Sequence, residues 1–381
     1  MAVAEYRAFG AFRFVLAFTV VLSHTWFLSF EHRSFVQNMG IGNFAVMGFF
    51  VLSGFIISEA IAAFYQRRAA AFLVNRLLRL VPPYWIAVAT SIVVHAALHK
   101  SGTLSLPDYA SPPSIMFDPR NLAIQITGIF PIFNVNKVLP QEEWYYFVRF
   151  AWAIFVEFVF YLSAFVFLLA LPLAEKIATR KAYLIVITIA SLSVHVFSEY
   201  VRLLHTSFAF IPYFVLGSAL YCVGKSRAAV AVAFVSYALI AVHFLRYTQG
   251  QLSIHDDWWS GATRPVVALP TTIMMLIPVI IIYLSKVRLS DRAKGLDQAL
   301  GDLTYPLYLN HYAILVAALS LFPTPNPLVQ VATVSAALLA SIVLHRLVET
   351  PMTAIRNKIR GVPLLPHSKM VRNDDLAKSL G

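Results

Sequence analysis

Charge, cysteine and any cleavable leader are what this sequence has least of. Of its 381 residues only 13% are charged, against 59% hydrophobic, and the mean hydropathy is +0.72. A water-soluble domain cannot hide that much apolar surface, so a soluble fold is excluded and a polytopic membrane protein is left. The single cysteine, Cys222, excludes an internal disulfide. No small-residue cleavage site lies beyond Phe30 at the end of the first apolar run, so that run reads as an uncleaved span and not as a secretory signal. Acidic residues are scarce as well, 18 against 30 Lys and Arg, for a net charge of +12. In a membrane chain such an excess belongs to basic cytoplasmic loops, and no nucleic-acid partner is expected. Neither an internal repeat nor a second, soluble domain is visible.

What is present is a series of apolar runs of spanning length, at about 11–30, 42–64, 81–98, 148–170, 182–198, 208–223, 229–247, 265–285, 303–321 and 328–348. They predict an all-α polytopic membrane protein of about ten transmembrane helices. An even number puts both termini on one side. With the N-terminus cytoplasmic, the inner segments hold 20 basic residues and the outer loops 6, so both termini are expected in the cytoplasm. Residues 1–355 form the membrane domain in this reading. Residues 356–381, polar and mixed in charge, read as a disordered cytoplasmic tail.

Two outer segments break the rhythm. Lys100 to Phe147 carries Pro107, Pro112 and Pro113 and then a half-length apolar run, Leu122 to Phe133, too short to span and expected to be re-entrant or interfacial. Trp144, Tyr145 and Tyr146 come next as an expected aromatic belt. Gln249 to Arg264 contains Asp256, Asp257, Trp258 and Trp259, a group that either stacks on and hydrogen-bonds sugars or simply anchors the loop at the interface.

Polar side chains inside the spans carry the chemistry. Arg13 and His24 lie eleven residues apart in the first run. That is close to three helical turns, so they share a face, roughly 16 Å apart along the axis. A charged and a titratable group on one membrane stripe are functional candidates. Arg76 and Arg79, expected in an inner loop before Pro82 and Pro83 start the third helix, either set topology or grip phosphates with their guanidinium forks. Glu157 in the fourth span needs a partner or a proton. It is estimated at roughly 13 Å below the outer boundary and His24 at roughly 9 Å, so the two can meet. Such a carboxylate would fix the His24 tautomer and raise its basicity. In the ninth span Tyr305, Tyr308 and Tyr312 form a helical stripe with His311 mid-span. Glu349 closes the last span and is expected to pair with an inner-loop arginine.

Taken together and in order, these stretches resemble the acyltransferase-3 family of integral membrane acyltransferases. The resemblance is carried by Arg13-x10-His24, Gly48…Ser53-Gly54-Phe55, Arg76-x-x-Arg79…Pro83-Tyr84, Trp152…Glu157…Phe160-Tyr161, Gly301…Thr304-Tyr305…Tyr308-Leu309-x-His311 and Glu349-x-Pro351, over about residues 5 to 355. One departure is Ala153, where the family often has Ser or Thr. The resemblance implies transfer of an acyl group, usually acetyl, from cytoplasmic acyl-CoA to an outer-side acceptor, most often a carbohydrate. It places Arg13 and His24 at the active centre. With no hydrolase-like domain appended, it implies a stand-alone form.

The resulting expectation is an acyl-CoA-dependent O-acyltransferase of a bacterial inner membrane, acting on an extracytoplasmic carbohydrate or glycolipid without a metal. His24, Glu157 and Arg13 are the expected catalytic residues, with His24 as general base or as acyl-accepting nucleophile. Arg76, Arg79 and Tyr84 are expected at the acyl-CoA donor, and Trp152, Tyr305 and His311 at the acceptor. The competing expectation is a proton-coupled transporter or flippase for a lipid-linked sugar or small anion. It lacks the matched broken helices that many transporters show.

Overall fold

Hydrocarbon offers a backbone no hydrogen-bond partner, so spanning segments must satisfy their own amides. In the computed structural model, which describes residues 6–29, 40–107, 113–127, 145–177, 210–251 and 264–361, every regular element is helical. The helices are α1 (Gly10–Thr25), α2 (Ile41–Ala60), α3 (Ala69–Lys100), α4 (Pro119–Thr127), α5 (Trp152–Ile177), α6 (Ile211–Cys222), α7 (Arg227–Gln251), α8 (Pro265–Leu284), α9 (Asp291–Leu321), α10 (Pro327–Leu344) and α11 (Thr350–Arg360). Seven helical stretches among the described residues are long and apolar enough to cross a membrane; α6 is shorter, and α9 begins with a charged half. The expected fifth span, Trp144, residues 128–133 of the half-length run, the Asp256–Trp259 group and the tail from 362 lie outside the described residues.

At the centre, α1 packs on α2 and α9, with α3 against α9 and α6 against α2. The α2–α6 contact is backbone on backbone. A Cβ on Gly54 would lie 2.0 Å from the Phe214 carbonyl oxygen, and one on Gly217 would lie 1.8 Å from that of Val51. Small residues permit such an approach where helices must pack in lipid. Gly54→Ala is therefore expected to destabilise by the upper end of the ~1–3 kcal/mol of overpacking. At Gly48 an added Cβ meets first a movable Ile277 methyl, 2.7 Å away. Thermal midpoints of the two alanine variants in detergent should separate, with Gly54→Ala much the lower.

The third helix departs from the sequence reading. It begins at Ala69, not near 81, so Arg76 and Arg79 lie on a helix and Pro82 and Pro83 lie in its interior. Ala69, Ala70, Ala71 and the leucines beyond them are strong helix formers, which carries the helix back to the turn at Arg67. Each interior proline removes one amide donor, and the Tyr305 hydroxyl donates to the nearby Leu80 carbonyl at 2.9 Å.

The described part of the half-length run, Leu122 to Thr127, lies in the short helix α4. Protein groups meet several of its polar atoms. Tyr84 Oη donates to the Gln125 carbonyl, Trp85 Nε1 to that of Ile126, and Gln125 Nε2 to that of Tyr145. Tyr145 is not an interfacial belt residue but is 1% exposed, its hydroxyl 2.6 Å from His95 Nε2 and 3.2 Å from the Tyr312 hydroxyl. Beside it, burial pushes the Tyr146 hydroxyl up to about 12.

Candidate active site

The site is set by how α1 meets α9. Gly10 and Gly301 touch backbone to backbone, an added Cβ on Gly301 falling 2.9 Å from Gly10 Cα. The Asp297 carboxylate accepts the amides of Gly10 at 2.9 Å and Ala11 at 2.7 Å, at the positive end of α1. Tyr6 Oη donates to the same carboxylate at 2.6 Å. Burial and that carboxylate hold the Tyr6 hydroxyl protonated well above its usual range. Arg13 lies within one turn of this anchor and is thereby aimed between α1, α2 and α9.

There it lines a partly open cavity. Five helices supply the polar lining: Arg13 from α1, Ser53 from α2, Arg76 and Arg79 from α3, Glu157 and Tyr161 from α5, and Thr304, Tyr305 and Tyr308 from α9. Glu157 Oε1 accepts from Ser53 Oγ at 3.2 Å and from the Tyr161 hydroxyl. Arg76 is 2% exposed and its guanidinium lies 5.5 Å from the ring centres of Phe72 and Tyr161, a cation–π arrangement. Its Nε has no hydrogen-bond partner among the described residues. Among those residues, none accepts a hydrogen bond from Arg13, Arg76 or Arg79. Three guanidiniums and one carboxylate on the same cavity make a site for an anion, and fork-shaped donors match phosphate oxygens.

His24 and His311 form a second focus. Their rings lie within 10° of parallel and meet edge to edge, with His24 Nδ1 3.0 Å from His311 Nε2. His311 Nδ1 lies 2.7 Å from the Tyr308 carbonyl, which can only accept, so that nitrogen carries the proton. In the neutral rings His311 Nε2 then holds a lone pair, His24 Nδ1–H donates to it, and His24 Nε2 is left with the basic lone pair. His311 orients His24. The expected pairing of Glu157 with His24 does not form, because Glu157 faces Ser53 and Tyr161 on the cavity side. Tyr308 joins the two foci: its side chain lines the cavity and its carbonyl fixes His311.

Of the remaining expected residues, Tyr305 lines the cavity, whereas Tyr84 turns its hydroxyl to α4. Trp152 packs edge-on to Phe50, a lining residue, and against Phe210. Glu349 pairs with His345 at 3.2 Å on the same helical stretch rather than with an arginine, since the turn His345–Glu349 holds both on one face. Ser53, Tyr161 and Asp297 carried no assigned role in the sequence reading. Ser53 and Tyr161 stand inside the quoted motifs. Asp297 could have been suspected as an acidic residue in the otherwise polar lead-in to the ninth span.

The sequence profile of the acyltransferase 3 family, described as an acyltransferase domain, matches residues 6–346. Searches of curated proteins and of solved structures find no match. With the profile covering nearly the whole chain and the helices long enough to cross a bilayer several times, the chain belongs to the acyltransferase 3 family, as a multi-pass membrane acyltransferase.

Proposed function

We propose that this enzyme moves an acyl group, acetyl in the first instance, from cytoplasmic acyl-CoA to a hydroxyl of an extracytoplasmic carbohydrate or glycoconjugate in a bacterial inner membrane. The observation that carries the reading is the cavity where Arg13, Arg76 and Arg79 converge with no acceptor for them among the described residues. Such a site favours the phosphates of a nucleotide-bearing donor. The excess of basic residues in the expected inner segments supports a cytoplasmic position for this end.

The histidine pair lies farther along α1, His24 being roughly 16 Å from Arg13 at 1.5 Å per residue. In the proposed reaction the acceptor hydroxyl gives its proton to His24 Nε2 as its oxygen bonds to the thioester carbonyl carbon. The carbon–sulfur bond breaks, and the thiolate takes that same proton from His24, which returns to its neutral form. His311 shares the charge arising on His24 through the Nδ1–H···Nε2 contact. Glu157, held by Ser53 and Tyr161, balances the arginines at the donor end.

Membranes carrying the native protein, given radiolabelled acetyl-CoA, are expected to label envelope polysaccharide where membranes lacking it do not. If no short-chain acyl-CoA transfers its label, the reading fails and proton-coupled transport of a lipid-linked sugar or small anion becomes the function to test.

A further inference from the structure

The last helical stretch does not stop where its apolar run ends. A turn of wider winding at His345–Glu349 leads into α11 without a break, and one inserted residue there rotates α11 about its axis. The expected boundary at 355 thus falls inside a helix. Met352, Ile355 and Ile359 lie on one face of α11, with Arg356 and Arg360 four apart on another. A polar helix of this kind frays unless tied down, and α11 is tied down firmly. Asn75 Nδ2 donates to the Arg356 carbonyl at 2.9 Å, and Arg356 Nε returns a bond to Asn75 Oδ1 at 3.3 Å. Arg68 Nη2 donates to the Ile359 carbonyl at 2.7 Å, and Arg360 Nε to the Tyr65 hydroxyl at 3.4 Å. Gly361, in the left-handed region at φ +75°, closes the helix.

These ties seat α11 on the turn of α3 that carries Arg76, outside the lining of the cavity itself. The Arg356 charge acts on Arg76, Arg79 and Arg360 and also reaches Tyr161, which lines the cavity. Four guanidiniums are thus gathered at one end of the bundle. Their hydrogen bonds run to neutral groups, Asn75, Tyr65 and Asn357. Among the described residues none of the four has a carboxylate within ion-pair distance. The four positive charges outnumber the carboxylates that act on them, Glu157 and Glu349, which favours a ligand with several negative charges.

We propose that Arg356 and Arg360 bind the phosphorylated nucleotide end of the donor, so that α11 forms one wall of the donor site. Arg76 and Arg79 then serve the inner part of the same molecule. This rests on the acyl-CoA reading and adds the residues that distinguish CoA from donors with fewer phosphates.

The test uses the full-length protein in discs of zwitterionic lipid, with CoA and 3′-dephospho-CoA as binding probes and their acetyl thioesters as substrates. Arg356→Gln and Arg360→Gln should each weaken CoA binding about 10-fold or more, the loss of one charge-assisted hydrogen bond. KM for acetyl-CoA should rise in step with kcat retained, and the native preference for CoA over its 3′-dephospho form should shrink. Should Arg356→Gln not fold, Arg356→Lys keeps the charge but not the fork, and is read through the same donor preference. Unchanged binding and preference in these variants, with native protein still binding CoA, overturns the inference alone. An effect that appears only when anionic lipid is added assigns the arginines to headgroups and overturns it too. Native protein that neither binds CoA nor transfers from it overturns the acyl-CoA reading, and this inference with it.

Discussion

His24→Ala is expected to lower acyl transfer by ~10²–10⁴-fold, the contribution of a positioned general base. The loss should appear in initial rates of label transfer at saturating donor and matched protein level. It stems from the tautomer chain, in which the Tyr308 carbonyl fixes His311 and His311 fixes His24. The same chain ranks changes at His311. His311→Gln offers a side-chain carbonyl to His24 Nδ1–H and should retain more activity than His311→Leu, which offers none and lets the tautomer drift. Equal rates in native and His24→Ala membranes would make the histidine pair structural. Label held on the native protein without acceptor, and absent from His24→Ala, would identify His24 as nucleophile instead of base.

Glu157→Gln separates the two roles open to that carboxylate. Its hydrogen bonds to Ser53 and Tyr161 can be kept by the glutamine carbonyl, but the negative charge acting on Arg13 and Arg79 is lost. Two unit charges about 8 Å apart interact by roughly 2 kcal/mol at an effective dielectric of about 20. Thermal stability should therefore fall by roughly that amount or more, while kcat, governed by the intact histidine pair, changes little. CoA should restore much of the loss, because ligand at 100 times its Kd adds about 2.7 kcal/mol to the folded state. A collapse of kcat at unchanged stability would instead place Glu157 at the reacting groups.

Span positions were legible because apolar length is a property of consecutive residues; α2, α7, α8 and α10 begin and end within a few residues of the expected bounds. The Arg13–His24 stripe was equally legible, since helical spacing alone puts both on one face. The start of α3 was misread because a charged, Ala-rich approach to two prolines looks like a loop when hydropathy alone is weighed. Helix propensity carries it on as helix. Tyr145 resembled a belt residue for the same reason; only its contacts with His95 and Tyr312 reveal it as buried.

By itself, then, the amino-acid sequence determined the helical membrane class, the approximate spans and the short set of polar residues in them, all of which depend on order and spacing along one chain. The tertiary structure alone decided which of those residues meet. His24 joins His311, 287 positions away, while Glu157 turns to Ser53, because equal depth in a bilayer leaves open the azimuth of each helix and the identity of its neighbours. Those are set by side-chain packing and by close backbone contacts such as Gly10 on Gly301 and Gly54 on Phe214.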